Sequence, residues 1–496
     1  MTSSLSAANN ALHLPGHRTL YYGGAWHEPS SDRFEETLNP STGQPLAHVA
    51  VGNAADVDAA VAAATRGFAE WRAVPPLERA RVLRRIAEVL RQNAAELAMI
   101  DAANCGNPVR EMTSDAMVAA AQLDFFAGLV TEIKGASIPM GPDVVNFSVR
   151  EPVGVVARIV PFNHPFMFAA GKSAAPLAAG NAIVMKPPDQ APLSALRLAE
   201  LIDGLLPAGV FNVVPGNRET GAALASHPGV GMVAIIGSVA AGRAVMRAAS
   251  ETVKPLLLEL GGKNALIAYA DADPDEVAAA AVGGMNFTWC GQSCGSTSRA
   301  FVHADIYEAV LDRIKSRVAA FKPGLATDPA TTMGAIVSAA QLDRVLNYIE
   351  AGKQDGARLL HGGKRPADPA LGGGFFVEPT VFADVTSAMK IAREEIFGPV
   401  LAILKWTDEA RMMDEVNAVE YGLTCSIWTN ELSTAHRAAT KVQAGYVWIN
   451  EVGKHFLGAP FGGVKQSGFG REECLGEMLS FTQEKNIHVR LRPKAS

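Results

Sequence analysis

The chain has 496 residues, of which 48% are hydrophobic and 19% charged, and its formal net charge is −6. This length suggests about three domains, and the composition excludes a disordered or fibrous protein. The two signs of charge are interspersed, so no basic patch predicts nucleic-acid binding. The N-terminus lacks the apolar core of a signal peptide, and no stretch has the roughly 18 apolar residues of a membrane span. We therefore expect a soluble, cytoplasmic protein.

The first predicted elements are helical. Residues 56–106 predict two amphipathic helices, because apolar residues between Leu83 and Leu90 recur every three to four positions. Pro75 and Pro76 punctuate this stretch.

From Val153 the pattern changes to short apolar runs separated by helical stretches such as 193–206 and 240–249. The runs are VGVVARIV, AIVMK, VFNVV, MVAII, PLLLEL and ALIAY. Continuous apolar strands that alternate with helices predict a parallel sheet covered on both faces, in a doubly wound nucleotide-binding arrangement. A second α/β stretch follows from about 262 to 466, with helices near 306–319 and 338–351.

The five cysteines are scattered, and their odd number argues against a disulfide framework and for a reducing compartment. They are Cys105, Cys290, Cys294, Cys425 and Cys474. A structural zinc site would need two more ligands than the lone CxxxC pair supplies, so we expect no metal.

Cys294 lies in the small-residue segment GQSCGSTSR. Small neighbours let a substrate approach the sulfur, and local backbone N–H groups are suited to bind an oxyanion. A buried, inert cysteine is the alternative, and it is the commoner fate of a free cysteine. The motif alone does not decide between the two.

Two further motifs carry polar side chains suited to catalysis. Glu259 ends an apolar strand in LELGGKNA, where a carboxylate faces the ligand crevice of an open sheet and can act as a general base. Asn163 lies between Pro161 and Pro165, so its amide is held by a stiff backbone and can donate to an oxyanion. The alternatives are a surface carboxylate and a proline-rich turn capped by Asn.

Three motifs point to a nucleotide. Lys186 and Asp189 leave a strand end together in VMKPPD, where an acidic residue can bind ribose hydroxyls. The segment IIGSVAAGR reads as a strand, a glycine turn and a helix whose N-terminus can face a pyrophosphate. It lacks the full GxGxxG pattern and is weak on its own. The third motif is EEIFGPV, residues 394–400.

Taken together and in this order, these motifs resemble the aldehyde dehydrogenase superfamily, from about Tyr21 to Glu472. The resemblance implies an α/β fold with two doubly wound parallel-sheet domains and a small β arm for oligomerisation, in a homodimer or homotetramer. The implied division is a dinucleotide-binding domain of residues 1–133 and 152–261, a catalytic domain of residues 262–466, and an arm of residues 134–151 and 467–496.

The resemblance also implies a mechanism and a cofactor. Cys294 attacks the aldehyde carbonyl, Asn163 and the Cys294 N–H hold the oxyanion, and Glu259 activates the water that hydrolyses the thioester. Lys186 and Asp189 resemble the adenosine-ribose pair, Gly237 and Ser238 the pyrophosphate turn, Glu395 the nicotinamide-ribose carboxylate and Phe397 the ring beside the nicotinamide. The full set expected to bind NAD is Pro161, Phe162, Lys186, Asp189, Gly237, Ser238, Leu260, Glu395 and Phe397.

Several positions depart from the common family pattern. Phe162 replaces a usual Trp, and Ile235 and Ile236 replace a usual Phe-Thr. Asp189 stands where Glu is common. Its carboxylate still repels a 2′-phosphate, so we expect NAD to be preferred, while its shorter side chain leaves NADP as a second cofactor.

Departures on the substrate side predict a wide apolar tunnel for a bulky aromatic or terpenoid aldehyde. His164 replaces a frequent Phe, and Gly171 and Thr288 stand where bulky aromatics are frequent. The residues expected along the tunnel are His164, Met167, Gly171, Thr288 and Phe461, with Phe166, Phe168 and Phe456 keeping the region apolar. Alternatively, shifts elsewhere in the tunnel offset the small residues. The substrate would then be a small or amino/betaine-type aldehyde.

Three other activities compete with this interpretation. A CoA-acylating dehydrogenase typically lacks the ELGGK glutamate, and Glu259 is present. A non-catalytic member would have lost Cys294, Glu259 or Asn163. A thiol esterase without redox chemistry would not need the cofactor residues.

Overall fold

The structure, a computed structural model, describes residues 12–492. Its strands are β1 (Leu20–Tyr22), β2 (Ala25–His27), β3 (Phe34–Asn39), β4 (Gln44–Ala50), β5 (Ser137–Ile138), β6 (Val144–Pro152), β7 (Val155–Ile159), β8 (Ala182–Lys186), β9 (Phe211–Val213), β10 (Met232–Ile236), β11 (Leu256–Glu259), β12 (Ala265–Ala268), β13 (Arg299–His303), β14 (Arg358–His361), β15 (Thr380–Ala383), β16 (Val400–Trp406), β17 (Tyr421–Gly422), β18 (Thr424–Trp428), β19 (Tyr446–Ile449), β20 (Val464–Lys465), β21 (Gly468–Phe469) and β22 (Thr482–Arg490).

The helices are α1 (Ala54–Trp71), α2 (Pro76–Gln92), α3 (Ala94–Cys105), α4 (Val109–Gly128), α5 (Pro165–Gly171), α6 (Ala174–Ala179), α7 (Leu193–Ile202), α8 (Arg218–Ser226), α9 (Val239–Ser250), α10 (Pro274–Gly284), α11 (Tyr307–Val318), α12 (Ala339–Gln354), α13 (Lys390–Arg393), α14 (Glu409–Asn417), α15 (Leu432–Lys441) and α16 (Leu475–Ser480). Short 3-10 helices cover Val130–Glu132, Phe287–Trp289 and Pro369–Leu371. Within residues 12–492, none of the helices is long and apolar enough to cross a membrane.

The first sheet has the strand order β2-β1-β9-β8-β7-β10-β11-β21, and its five central strands are parallel. From β7 the chain adds β8 and β9 on one side, then returns to add β10 and β11 on the other. In such a doubly wound sheet, ligands bind outside the carboxyl ends of the strands where the order reverses, here between β7 and β10.

The second sheet has the order β14-β15-β16-β13-β12-β18-β19, and all its pairs are parallel except β14 with β15. The run PLLLEL forms β11 of the first sheet, whereas ALIAY forms β12 of the second. The chain therefore passes from one sheet to the other between Glu259 and Ala265. The predicted α/β class with parallel sheets is confirmed.

The apolar runs are continuous because both faces of each sheet are covered. In β7, Val156 packs into a core cluster with helices α2 to α7, while Val155 and Ala157 pack with α1, α8 and α9 on the other face. In β12, Ile267 packs with α12 to α15, and Leu266 packs with α10 and α11. Successive residues alternate between faces, as the period of two in a strand requires.

The stretch 56–106 holds three helices where the sequence predicted two. Pro76 takes the first position of α2, where its missing N–H costs nothing. Asn93 separates α2 from α3, since its φ and ψ of −109° and 12° leave the helical region. The apolar period runs through this break, so the pattern alone does not reveal it.

A separate three-stranded antiparallel sheet has the order β22-β6-β5. Strand β22 pairs with the whole of β6, from Thr482 opposite Pro152 to Arg490 opposite Val144. The segment before β22 lies elsewhere, since β21 pairs with β11 of the first sheet and α16 contacts α6. The predicted arm segment 467–496 therefore enters the small sheet only at Thr482. The three-domain division stays a prediction.

The glycine at position 67 of α1 offers a test of packing. A Cβ there would lie 2.4 Å from the carbonyl carbon of Gly209 and 2.6 Å from the amide nitrogen of Val210. We expect Gly67→Ala to lower the free energy of unfolding by about 1–3 kcal/mol, because the backbone before β9 must move. Gly283→Ala in α10 is the control, since a Cβ there has open space. Equal stability of the two variants in urea denaturation would contradict this packing.

Candidate active site

The carboxyl edge of the first sheet gathers three motifs. Strand β7 ends before the Pro161–Asn163 segment, β10 ends before Gly237 and Ser238, and β11 ends at Glu259. These strands are neighbours in the order β7-β10-β11 and run parallel. Their three ends therefore meet in one crevice at the reversal of strand order.

The second sheet contributes two loops from its amino edge. Cys294 precedes β13 and Glu395 precedes β16, and these two strands are parallel neighbours. The side-chain amide of Asn264 donates to the Cys294 carbonyl at 2.7 Å, and the Gly262 N–H donates to Glu395 Oε1 at 2.9 Å. The link between β11 and β12 thus holds both loops against the first sheet.

Two glycines of the LELGGK motif make this contact close. A Cβ at Gly261 would lie 2.2 Å from Glu395 Oε2, and one at Gly262 would lie 2.7 Å from the Cys294 carbonyl oxygen. Real Cβ atoms do not approach other atoms so closely, so glycine is required at both positions by the approach of the two loops.

Two cavities meet at this crevice. The first, of about 180 Å³, is lined by Pro161, Phe162, Asn163, Ile236, Gly237, Ser238, Glu259, Leu260, Gly261, Cys294, Gln341, Arg344, Glu395 and Phe397. The second, of about 250 Å³, is lined by Val118, Gln122, Asn163, His164, Met167, Phe168, Lys172, Ile236, Glu259, Asn286, Trp289, Ser293, Cys294, Gly295, Trp448, Gly453, His455, Phe461, Glu472 and Glu473. The residues common to both walls are Asn163, Ile236, Glu259 and Cys294.

The first cavity has the groups that a dinucleotide needs. Helix α9 begins at its wall, and Ser238, exposed there, accepts a hydrogen bond from the Ala241 N–H at 3.2 Å. A helix N-terminus of this kind favours a phosphate. Phe162 and Phe397 meet edge to face with ring centroids 5.7 Å apart. These groups, with the partly buried carboxylate of Glu395, fit a phosphate, a planar base and ribose hydroxyls.

Lys186 and Asp189 lie outside the wall of the first cavity, although both were predicted to bind cofactor. Lys186 is buried, and its ammonium donates to the Pro187 carbonyl at 2.9 Å. Asp189 is exposed beyond the end of β8, the strand on the far side of β7. Their predicted role requires a ligand that extends past this cavity along the sheet edge.

Gln341 and Arg344 of α12 line the first cavity and were missed by the sequence reading. The Gln341 amide donates to the Phe397 carbonyl at 2.8 Å, and the Arg344 guanidinium donates to the Glu395 carbonyl at 2.7 Å. Both therefore hold the EEIFGPV loop in place. No sequence motif marks Gln341 and Arg344, because they reach this loop from a helix that is distant in the chain.

Cys294 is partly exposed at the junction of the two cavities. Burial, together with the negative charges of Glu259 and Glu395, raises the pKa of its thiol to about 12, and the Gly295 N–H opposes this shift. The thiol is therefore protonated near neutrality unless a neighbour accepts its proton. Cys290 is fully buried and its sulfur donates to the Gly334 carbonyl at 3.0 Å, so it does not share this position.

Glu259 is 4% exposed, and no described residue hydrogen-bonds to either of its carboxylate oxygens. Burial and the negative charge of Glu472 raise its pKa well above the ordinary value, while Lys172 and Arg471 oppose the shift. A carboxylate with a raised pKa is a stronger base than an exposed one. Glu259 is thus suited to accept a proton as a general base.

A buried charge cluster beneath Glu259 was not predicted. Arg158 donates to Glu472 Oε1 at 2.6 Å, and the Lys172 ammonium lies 2.9 Å from Glu472 Oε2. The carboxylate of Glu477 accepts from the Glu473 N–H at 2.6 Å, and burial raises its pKa to about 7. Lys172 ends the stretch PFNHPFMFAAGK, residues 161–172, and a lysine after this largely apolar segment is the one local signal of the cluster.

Asn163 is 3% exposed, and its backbone carbonyl accepts from the Asn107 side chain at 2.7 Å. Helix α5 begins two residues later with Pro165 in its first turn. The residue is thereby anchored on both sides while its side chain contributes to both cavity walls.

The second cavity is largely aromatic and apolar, with Phe168, Trp289, Trp448, Phe461 and Met167 in its wall. Of the predicted substrate residues, it includes His164, Met167 and Phe461.

Gly171 and Thr288, predicted to widen the tunnel, are not part of this wall. A Cβ at Gly171 would lie 1.9 Å from Gln122 Oε1, so the side chain of Gln122 occupies the space beside the glycine. Thr288 accepts from the Gly334 N–H at 3.2 Å, and the bulky neighbour Trp289 lines the cavity instead. The small residues do not produce the extra width that we expected.

The other apolar residues of this region divide between interior and surface. Phe166 is 1% exposed within the core of the first sheet, and Phe456 is 64% exposed. Phe168 is the one of the three that lines the cavity.

Comparison with known proteins gives a consistent set of relatives. The profile described as "Aldehyde dehydrogenase family" matches residues 26–487. Aldehyde dehydrogenase tropH of Talaromyces stipitatus is 52% identical over 486 residues, covering 96% of this chain and 94% of the relative.

Two solved structures illustrate the likeness of fold. PnpE from Pseudomonas sp. WBC-3, in complex with nicotinamide adenine dinucleotide, is 38% identical with a TM-score of 0.94, covering 96% of this chain and 98% of the other. A mutant of the indole-3-acetaldehyde dehydrogenase AldA of P. syringae, in complex with NAD+ and IAA, is 37% identical with a TM-score of 0.93, covering 97% of each chain.

The electrostatics at Cys294 can be tested directly. In Glu259→Gln we expect the thiol pKa to fall, because the thiolate no longer forms beside a second negative charge. Iodoacetamide should then alkylate Cys294 faster at a given alkaline pH, measured by mass spectrometry of the Cys294 peptide. Glu395→Gln should also speed the alkylation of Cys294. Glu28→Gln is the control and should not, because Glu28 is exposed and is not among the groups that shift the Cys294 pKa. If the alkylation rate at each pH were unchanged in both Glu259→Gln and Glu395→Gln, these carboxylates would not be what raises the pKa of Cys294.

Proposed function

Since the chain belongs to the aldehyde dehydrogenase family, we propose that it oxidises an aldehyde to the free carboxylic acid with NAD and with Cys294 as nucleophile. One observation carries this proposal, which is the shared wall of the two cavities formed by Asn163, Glu259 and Cys294. A carbonyl carbon at the sulfur has access to a nucleotide on one side and to a substrate tunnel on the other.

The first cavity is the proposed site of the nicotinamide and its ribose. The Glu395 carboxylate would accept hydrogen bonds from the ribose hydroxyls, and the N-terminus of α9 would favour the pyrophosphate. NAD, when bound, supplies the acceptor for the hydride that the substrate carbon loses. Lys186 and Asp189 would hold the adenosine ribose further along the sheet edge, where the Asp189 carboxylate would disfavour the 2′-phosphate of NADP. The NAD complexes of PnpE and AldA support this assignment.

The first half of the reaction forms a bond from Cys294 Sγ to the aldehyde carbon. The thiol proton leaves to solvent as this bond forms, so the Glu259 carboxylate stays free to act as the base in the second half. The side-chain amide of Asn163 and the backbone N–H of Cys294 donate to the oxyanion of the tetrahedral adduct. The carbon of this adduct is sp³, so it releases hydride more readily than the planar carbonyl carbon of the free aldehyde does.

The second half releases the acid. Oxidation leaves an acyl group on Cys294 as a thioester. Glu259 removes a proton from water as the water oxygen attacks the acyl carbon, the carbon–sulfur bond breaks, and the sulfur regains a proton. Glu259 is what favours hydrolysis over transfer to CoA.

Two variants test this mechanism. Cys294→Ala should abolish turnover and leave NAD binding intact, since the thiol lies at the end of the nucleotide cavity. Glu259→Gln should give a burst of NADH followed by a steady rate lowered by about 10²–10⁴, the range typical of a lost general base. Rapid quenching and mass spectrometry should detect the acyl group on Cys294.

Undiminished steady-state turnover in Glu259→Gln would reject its role as base. Formation of acyl-CoA by the wild type, when CoA is added, would favour the acylating alternative.

We also propose a bulky apolar substrate, aromatic or terpenoid. The support is the wall of the second cavity, which carries Met167, Phe168, Trp289, Trp448 and Phe461. Aromatic side chains of this kind bind flat apolar groups over large areas. The name of AldA, an indole-3-acetaldehyde dehydrogenase, is consistent with an aromatic substrate.

A comparison of three aldehydes tests this preference. We expect kcat/KM to be higher for benzaldehyde and for a C10 terpene aldehyde than for acetaldehyde, because each carbon buried against the wall contributes about 0.8 kcal/mol. If acetaldehyde were the best substrate, the result would favour a small aldehyde. If an amino aldehyde such as betaine aldehyde were the best substrate, it would favour the amino/betaine-type alternative.

The small sheet is the proposed oligomerisation arm. Its strands β5 and β22 are the two edges, and Ile138 and Val489 are among their exposed apolar residues. Exposed edges with apolar residues are normally covered by a partner. We propose a homo-oligomer, either a dimer or a tetramer.

A further inference from the structure

A histidine and an aspartate form a buried pair in the wall of the second cavity. His164 Nδ1 lies 2.7 Å from Asp115 Oδ2, and the two side chains are only 12% and 8% exposed. The catalytic steps above use neither residue. A polar pair enclosed by aromatic side chains costs desolvation, so its presence in this wall calls for a function.

The imidazole of His164 is held in one orientation. Its ring meets Phe168 with centroids 5.4 Å apart and Trp289 with centroids 5.3 Å apart, both nearly edge-on. Asp115 accepts from Nδ1, which fixes the ring face and leaves Nε2 for another partner. No residue that the structure describes hydrogen-bonds to Nε2, while His164 belongs to the cavity wall.

The acidic groups around His164 favour its charged form. Burial lowers the pKa of the imidazole, but the charge and hydrogen bond of Asp115 and the charges of Asp101 and Glu111 outweigh it and raise the pKa above the ordinary value. Nε2 therefore donates when the ring is charged and accepts when it is neutral. A hydroxyl group, which both donates and accepts, suits either form.

The other basic groups of this wall already have partners. Lys172 pairs with Glu472 and Glu473, and His455 pairs with Glu473 at 3.1 Å and is 39% exposed. A substrate oxygen beside them would compete with existing ion pairs. His164 Nε2 is the better-placed polar contact, since its bond to Asp115 is undisturbed.

We propose that His164, positioned by Asp115, binds a hydroxyl group on the ring of an aromatic aldehyde and so determines substrate specificity. This proposal rests on the proposed aldehyde oxidation and narrows it to hydroxylated aromatic substrates. Phe168 and Trp289 contact the ring of the substrate, and the His164–Asp115 pair recognises its oxygen. A site built to hydrogen-bond a hydroxyl discriminates strongly against the analogue that lacks it.

The test compares 3- and 4-hydroxybenzaldehyde with 3- and 4-methylbenzaldehyde, whose substituents are similar in size. The measured quantity is the ratio of kcat/KM for each hydroxy/methyl pair, and its change between wild type and variant cancels the electronic effect of the hydroxyl. We expect His164→Phe to lower this ratio about tenfold for at least one pair, mainly through KM. The methyl substrates should be turned over as before or faster.

Two further variants sharpen the test. Asp115→Asn keeps an acceptor for Nδ1 but removes the charge, so it should lower the ratio less than His164→Phe does. His48→Phe is the matched control, since His48 is exposed on β4 and far along the chain from the cavity residues. It should leave the ratio unchanged.

An unchanged ratio in His164→Phe, with the methyl substrates still oxidised, would overturn the proposal and leave the aldehyde dehydrogenase assignment standing. If His164→Phe does not fold, Asp115→Asn decides in the same way. Failure of the wild type to oxidise any aldehyde with NAD would remove the proposed function, and this specificity with it.

Discussion

The site depends on the close packing of Gly261 and Gly262 against two loops of the other sheet. Any side chain at Gly261 would overlap the Glu395 carboxylate, and any at Gly262 would approach the Cys294 carbonyl too closely. These two contacts set how near the sulfur comes to the carboxyl edge of the first sheet. The nucleotide turn, the general base and the nucleophile are close together only because this crossing carries no Cβ atoms.

The same enclosure sets the acid–base chemistry. Burial raises the pKa of both Cys294 and Glu259, and the negative charge of Glu259 raises the pKa of Cys294 further. Beneath Glu259, the positive charges of Lys172 and Arg158 lower the pKa of Glu472 and so favour its ionised form. Such buried ion pairs add little net stability, so their contribution is chiefly to the charge that Glu259 experiences.

Much of the fold, and the residues that meet at the candidate site, could be predicted from local patterns. Apolar runs predicted the five parallel strands of the first sheet and β12 of the second. Motifs pointed to Cys294, Glu259 and Asn163, because strand ends and small-residue loops are encoded by neighbouring residues. The failures involve partners far apart in the chain. Gly171 suggested space, but Gln122 on another helix fills it. The Lys172–Glu472 pair joins the end of α5 to the segment after β21. The apolar residues around Lys172 hint that it is buried, but nothing local marks Glu472 as its partner.

The wall of the substrate cavity and the reacting groups belong to different parts of the chain. Gln122 and Val118 reach the cavity from α4, whereas the sulfur and the base stand on loops and strand ends of the two sheets. Exchanging side chains along one face of α4 would reshape the tunnel and leave the glycine crossing untouched. Substitutions on α4 can therefore change which aldehyde fits the cavity, while the residues that form and break bonds stay in place.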